Sequence, residues 1–194
     1  MIFNTYKQIL EFDEVTKFRL INAFLVAIGT NLIFPLMIGL KGELLLPWII
    51  SLFLILDTIA VKTNAWFTSR FSISSIYKMT AVVHLAFALF PLLYFISPLL
   101  MVYVGSVLTI IEITIFSAYS IMLNTYLAKN FPDSMHNFQI VRNSTWADGI
   151  LIGLSVVTLI TFFYSVPYTI IVFVVYNFFF SLWLIRNWRF FDKI

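Results

Sequence analysis

The sequence contains no cysteine and few charged residues, and both shortages exclude classes of function. Without cysteine, the 194-residue chain forms no disulfide, no thiolate metal site and no cysteine nucleophile. Only 11% of its residues are charged, against about 25% in soluble domains. The motifs GxSxG, HExxH and the Walker loop, which mark serine hydrolases, zinc proteases and P-loop proteins, are also missing. The sequence therefore predicts a protein that is not an enzyme and that holds no metal or cofactor.

Hydrophobic residues make up 61% of the chain, and the mean hydropathy is +0.98. Several runs of about 18–20 residues carry at most one charge, which is the length an α-helix needs to cross about 30 Å of hydrocarbon. Open sheets are excluded there, because lipid offers no partner to unpaired backbone groups. We therefore expect an all-α, polytopic membrane protein that has the lipid bilayer as its solvent.

Six apolar segments are predicted to cross the membrane and to form one domain over residues 1–194. In chain order they cover about Leu20–Leu40, Leu44–Val61, Met79–Ile96, Pro98–Phe131, Ala147–Tyr164 and Pro167–Ile185. Residues 1–19 are mixed and charged, and they contain no apolar core followed by a cleavage site. No cleavable signal peptide is therefore expected. Residues 1–19 are expected to form a cytoplasmic or interfacial segment, either a short helix or a frayed terminus.

Lysine and arginine are distributed unevenly between the loops, and this predicts the orientation. On one side lie Lys7, Lys17, Arg19, Lys62, Arg70, Lys78, Lys129, Arg142, Arg186, Arg189 and Lys193. Lys41 alone falls on the other side. Because cytoplasmic loops are enriched in these residues, both termini are predicted to be cytoplasmic, in the cytoplasmic (inner) membrane. The asymmetry also explains the net charge of +3, so no nucleic-acid partner is expected.

Glu112 lies near the middle of the fourth span. A charge there costs roughly 2.5–3.5 kcal/mol on the most lenient insertion scale, so it normally faces a bundle interior or a wet cavity. Small, polar or aromatic residues share its helix face: Gly105, Thr109, Phe116, Ser120 and Asn124. Glu112 is predicted to bind a proton or substrate, with Thr109, Ser120 and Asn124 beside it. The alternative is a buried structural hydrogen bond.

Other spans also carry polar residues. Asn31, in the first span, either lines a cavity or holds helices together by an interhelical hydrogen bond. Pro35, one turn later, is expected to bend the helix and to act in gating. His84, in the third span, could titrate near neutral pH, although a structural hydrogen bond is the favoured interpretation. For Asn177, in the sixth span, the sequence favours no particular role.

Charged residues near the ends of the spans are candidates for gating or for ion pairs. Asp57 lies close to Lys62, and an interfacial ion pair is favoured over a direct functional role. Asp148 begins the fifth predicted span, where the helix dipole and nearby Arg142 favour a carboxylate. Capping of the helix and pairing with Arg142 are therefore expected.

Small residues mark two helix faces for close packing. Gly149 and Gly153 are four residues apart in the fifth span, so another helix is expected to pack closely there. Ala23 and Ala27 form a similar pair in the first span, and this face is a candidate for docking a partner protein.

Three segments resemble one half of a major facilitator superfamily transporter. FRLINAFLVAIGTNLIFPLMIG, from Phe18 to Gly39, is similar to the family's entry into its first helix. NAWFTSRFSISSIYKM, from Asn64 to Met79, resembles its Gly-x-Leu-Ala-Asp-Arg-x-Gly-Arg-Arg signature, and Arg70 matches the arginine. LAKNFPDSMHNFQIVRNS, followed by DGILIG, resembles the junction between its fourth and fifth helices.

The chain departs from the family signature at several positions. Trp66 or a neighbour stands in place of its first glycine, Ser69 replaces its aspartate and Ser72 its second glycine. Lys129 lies where an acidic residue is common. The family's cytoplasmic charge latch, to which Arg70 would contribute, is therefore expected to be absent or rewired.

The resemblance implies an assembly and a function. The family has twelve spans in two parallel halves, and a two-fold homodimer of six-span chains would rebuild that arrangement. The first and fourth helices of each chain would line a central cavity, with two copies of Asn31 and Glu112 around it. If the two carboxyl groups approach closely, they titrate as a coupled pair. The leading prediction is a homodimeric, proton-coupled secondary transporter of a small organic solute.

The sequence leaves two other functions open. One is a substrate-capture subunit of a larger transporter, similar to the six-span components of energy-coupling-factor vitamin transporters. A monomer that transports only after an ATPase module is added would favour it. The other is a non-transporting membrane immunity or regulatory protein that keeps a transporter fold as a scaffold.

Overall fold

The computed structural model describes residues 12–32, 55, 58–59, 62–163 and 166–193. Throughout these residues the chain is helical, apart from short turns, and contains no strand. We number the helices as α1 (Glu14–Asn31), α2 (Ile73–Leu89), α3 (Pro98–Asn130), α4 (Met135–Phe163) and α5 (Val166–Asn187). Residues 62–70 are also helical. Three 3-10 segments follow α2, α3 and α5 at Phe90–Phe95, Pro132–Ser134 and Trp188–Lys193.

Four of the helices are long and apolar enough to cross a membrane. They cover Ile73–Phe95, Pro98–Asn130, Met135–Ile160 and Pro167–Asp192, and they correspond to the third to sixth predicted spans. The all-helical prediction is thus confirmed for the described residues. α1 covers the beginning of the predicted first span, and most of the second lies outside the described residues. Six spans and cytoplasmic termini stay predictions.

The helix boundaries follow from local chemistry. Asp13 precedes α1, and its carboxylate accepts hydrogen bonds from two following backbone amides at 2.9 and 3.0 Å and from the Thr16 hydroxyl at 2.5 Å. Ser72 and Ser97 cap α2 and α3 in the same way. These residue types satisfy amides that have no partner within the helix. Pro91 has no N–H to donate, so α-helical bonding ends at Leu89 and the chain continues as a 3-10 turn.

Replacing Asp13 with alanine is expected to lower the free energy of unfolding by about 1 kcal/mol, because the first amides of α1 lose their acceptor. Thermal unfolding of the protein in detergent micelles, followed by circular dichroism, measures the change. Asp133→Ala is the matched control, since Asp133 is exposed at the start of a 3-10 turn. Equal shifts in the two variants would argue against the cap.

The helices pack in two groups. α2 lies between α3 and α5, and α1 packs along α4. Smaller contacts of α5 with α1 and α4, and of α1 with α3, join the groups. Aromatic rings fill much of the interior, and among them Tyr77 donates its hydroxyl to the carbonyl of Leu184 at 3.0 Å. α3 is therefore in contact with both groups, and its polar residues face partners in each.

Gly149 is where α4 approaches α1 most closely among the described glycine contacts. A Cβ atom at Gly149 would lie 2.7 Å from the carbonyl oxygen of Phe24 and 2.7 Å from Cβ of Ala27. The close helix packing predicted for this glycine is confirmed. Ala23 and Ala27 are 1% and 0% exposed, so the prediction that their face docks another protein is wrong. The reason is that α4 of the same chain already covers it.

Candidate functional site

His84 on α2 and Glu112 on α3 form a buried polar contact. Nδ1 of His84 lies 2.6 Å from Oε1 of Glu112, and the two side chains are 2% and 6% exposed. So short a distance is typical of a charge-assisted hydrogen bond. With one proton shared, the pair is neutral overall whether that proton is assigned to the imidazole or to the carboxyl. Burying it therefore costs less than burying an isolated carboxylate.

Aromatic rings surround the histidine. The ring of Phe180 on α5 meets the imidazole edge-on with centroids 4.8 Å apart, and the ring of Phe87 lies at 5.7 Å. Nε2 of His84 has no hydrogen-bond partner among the described residues. Gain or loss of a proton would leave a net charge among these apolar groups, which is costly without water or a counter-charge. The protonation state of the pair is thus tied to access of water.

The polar face of α3 points into the chain, as its spacing predicts. Glu112 is 5% exposed, whereas Tyr103 on the opposite face is 65% exposed. Gly105 contacts the ring of Phe90, and Thr109 donates its hydroxyl to the backbone oxygen of Gly105 at 2.7 Å. The hydroxyl of Thr109 is therefore hydrogen-bonded within its own helix. Of the described residues Gly105, Thr109 and Glu112, only Glu112 contacts a titratable side chain of another helix.

Ser120 and Asn124, further along the same face, contact Arg19 of α1. Nη2 of Arg19 donates to Oγ of Ser120 at 3.2 Å, and Nε donates to Oδ1 of Asn124 at 3.4 Å. Arg19 is only 5% exposed, and its Nη1 has no partner among the described residues. A buried guanidinium is thus held there by neutral oxygens.

Sequence reasoning missed this role of Arg19, because it counted the residue only as a cytoplasmic cation. A signal was present in the spacing. Arg19 precedes Ala23 and Ala27 by four and eight residues, so it shares the helix face that packs into the chain.

A cavity of about 380 Å³ opens beside Arg19. Its polar lining residues are Arg19, Ser120, Arg142, Asn143 and Trp146. Nη2 of Arg142 donates to Oδ1 of Asn143 at 3.1 Å. Two guanidinium groups therefore border one cavity, and no acidic side chain is among its described lining residues. We call this space the arginine cavity.

Asp148 does not have the environment predicted for it. α4 begins at Met135, directly after the 3-10 turn that starts at Pro132, so Asp148 lies in the interior of the helix and not at its first turn. The helix-dipole prediction is therefore wrong. Pairing with Arg142 is not seen either, because Arg142 donates to Asn143 and Oδ2 of Asp148 has no partner among the described residues.

Several predicted residues lie outside what the structure describes. These are Asp57, Pro35 and the side chain of Asn31. Asn177, for which the sequence favours no role, packs against Gly29 of α1. A Cβ atom added at Gly29 would lie 2.5 Å from Oδ1 of Asn177. Asn177 therefore helps set the contact between α5 and α1.

Arg70, which matches the arginine of the transporter signature, ends the helical segment 62–70. Its guanidinium carbon lies 5.0 Å from the ring centroid of Trp66, a cation–π contact between two exposed side chains. No protein family, characterised protein or solved structure that we compared matches the chain. The resemblance to half of a major facilitator transporter stays a prediction.

Proposed function

We propose that the protein is a membrane transporter that couples the movement of a small organic solute to the movement of protons, working as a homodimer. The observation that carries this proposal is the 2.6 Å contact between His84 and Glu112, two titratable side chains on neighbouring membrane-length helices. Ionisable residues inside a membrane are expensive, and they commonly belong to proton or substrate pathways.

The pair can exist in three charge states. It is neutral with one shared proton, positive with two and negative with none. Because Nδ1 of His84 and Oε1 of Glu112 lie 2.6 Å apart, a proton gained or lost by one side chain changes the contact of both. Only the neutral state suits the apolar surroundings provided by Phe87 and Phe180. Loading or release of a proton therefore requires a change that admits water, and such a change links protonation to helix movement.

The arginine cavity supplies a place for a solute close to this pair. Ser120, which borders the cavity, follows Glu112 by eight residues on α3, a rise of about 12 Å at 1.5 Å per residue. A volume of about 380 Å³ lies within the range of small-molecule sites. A solute and a proton could thus occupy different levels of one helix, and movement of α3 would affect both.

The transport function predicts a measurable proton flux. Protein reconstituted into vesicles that enclose a pH-sensitive dye should change the internal pH when a transported solute is added outside. A panel of membrane-impermeant amino acids, sugars and dicarboxylates serves as the probe, and a protonophore should abolish the signal. The absence of any solute-dependent change across the panel, with folded protein in the vesicles, would contradict the proposal.

The homodimer is tested separately. In the described residues Glu112 contacts His84 of its own chain, so we propose that its proton partner is His84 and not a second Glu112. The second copy would instead supply the opposite wall of the transport pathway. Native mass spectrometry from lipid nanodiscs is expected to give two chains of 22.5 kDa, 45 kDa together. A mass of one chain only would rule out the dimer.

A further inference from the structure

We propose that the arginine cavity binds a small oxyanion, a carboxylate or a phosphate, between the guanidinium groups of Arg19 and Arg142. The proposal names the substrate class of the transporter proposed above and in that respect rests on it. The binding site itself is argued from the cavity alone.

The first argument is the environment of Arg19. Its side chain is nineteen-twentieths buried, its described hydrogen bonds go to the neutral oxygens of Ser120 and Asn124, and its Nη1 is left without a described partner. A buried charge without a counter-charge is strongly unfavourable. An anion in the cavity would supply both the missing charge and the missing hydrogen-bond acceptor.

The second argument is the presence of Arg142 on the same cavity. Two guanidinium groups around one small space repel each other, and an anion between them would reverse the sign of that interaction. Each guanidinium presents a planar fork of N–H donors that matches the oxygens of carboxylate and phosphate. Arg142 donates one of these N–H groups to Asn143, which leaves the others for a ligand.

The third argument is the character of the remaining lining. The indole of Trp146 can only donate a hydrogen bond, and Asn143, whose Oδ1 already accepts from Arg142, offers its amide N–H groups. Asp148 follows Arg142 by six positions on α4, which places it on a different helix face at about 100° per residue. The described lining is therefore rich in donors and lacks carboxylates, so it selects an anion over a cation.

The size of the cavity limits the ligand. About 380 Å³ accommodates a small mono- or dicarboxylate, a phosphate or the headgroup of one anionic lipid. The shared chemistry is the oxyanion, and the source is decided by experiment. A soluble anion fits the transport proposal, whereas a lipid headgroup would make the cavity a lipid site.

The test uses the full chain in a neutral detergent, with succinate and inorganic phosphate titrated separately by calorimetry. We expect one site per chain, and an increase in Kd of about tenfold or more in Arg142→Gln, because a charged hydrogen-bond donor is lost. Lys129→Gln is the matched control: it removes an exposed cation from the end of α3, away from the cavity, and should leave Kd unchanged. Arg142 is chosen because Arg19 is more deeply buried. Trp146→Phe provides a second variant, which removes the indole N–H and part of the ring and keeps both guanidinium groups.

A second experiment, with lipid, distinguishes a soluble anion from a lipid headgroup. Protein in nanodiscs of phosphatidylcholine, with or without phosphatidylglycerol, is analysed for lipid that remains bound. Retention of phosphatidylglycerol that depends on Arg142, without binding of either soluble anion, would support the oxyanion site and overturn its role as a substrate site. Absence of binding in both arms, or binding unchanged in Arg142→Gln, would overturn the proposal.

Anion binding is measured independently of transport, because no gradient is present in the calorimetric titration. Anion binding without any solute-driven proton flux would leave the site standing and overturn the transport function. Proton flux driven only by uncharged solutes, with no anion binding, would leave the transport function standing and overturn the anion site.

Discussion

Vesicles that contain Glu112→Gln are expected to show no solute-driven pH change above that of protein-free vesicles, while downhill exchange of the solute continues. Glutamine keeps the size of the side chain and can still hydrogen-bond to Nδ1 of His84, but it cannot carry the carboxyl proton. The neutral and negative states of the pair would then no longer interconvert at residue 112. The dye-loaded vesicle assay measures the pH change, and labelled solute measures the exchange.

Glu14→Gln is the matched control for this variant, since it makes the same chemical change at an exposed position at the start of α1. It should retain the full pH signal. A full signal in Glu112→Gln as well would show that Glu112 does not couple proton and solute.

A stability measurement separates the structural role of the pair from the functional one. Glu112→Leu leaves His84 buried without its partner and should cost about 3–5 kcal/mol, whereas replacing both residues with leucine is often neutral or stabilising for a buried pair. The double variant His84→Leu/Glu112→Leu should therefore unfold close to the wild-type temperature and still lack coupling. Coupling retained in the folded double variant would mean that the pair serves only the fold.

Replacing Gly149 with leucine is expected to separate α1 from α4 and to destabilise the fold by at least about 1–3 kcal/mol, the usual cost of overpacking. The new side chain would begin 2.7 Å from the backbone oxygen of Phe24, and a backbone atom cannot move aside as a flexible side chain can. Because Arg19 and Arg142 lie on these two helices, the variant should also weaken binding of anions to the arginine cavity. Thermal unfolding and calorimetry provide the two readouts.

Ala147→Leu is the matched control, because Ala147 is exposed on the same helix. It introduces the same side chain without a clash, so the unfolding temperature should change little. If Gly149→Leu is as stable as Ala147→Leu, the close approach of α1 and α4 does not contribute to stability.

The prediction of Gly149 as a packing residue was correct, whereas that of Asp148, its neighbour, was wrong. A glycine in an apolar helix allows close packing because it has no side chain. The local pattern was therefore sufficient to predict the contact at Gly149. The position of Asp148 within a helix depended on where α4 begins. The apolar pattern marked only the predicted span from about Ala147 to Tyr164, and the helix extends back to Met135 through more polar residues. Hydropathy indicates where a helix meets lipid, and it does not indicate where the helix starts.

Glu112 and His84 also show what a local sequence pattern indicates and what it does not. The sequence marks each as a polar residue in an apolar run, with a structural or a functional role open for each, and does not connect the two. Their contact depends on how α2 is rotated and shifted against α3, and one residue of shift turns a side chain by about 100° around the helix. Arg19 was missed for the same reason, since its partners Ser120 and Asn124 lie about a hundred positions away in the chain.

By itself the sequence determined the helical class, the membrane-crossing length of the helices from α2 to α5 and the inward face of α3. These properties depend on composition and on spacing along one helix, because hydrocarbon solvates apolar side chains and leaves backbone groups to pair within the helix. Only the tertiary structure decided that Glu112 meets His84, that Arg19 meets Ser120 and Asn124, and that two arginines border one cavity. Such contacts are made between helices, so they depend on packing that no single segment of the chain specifies.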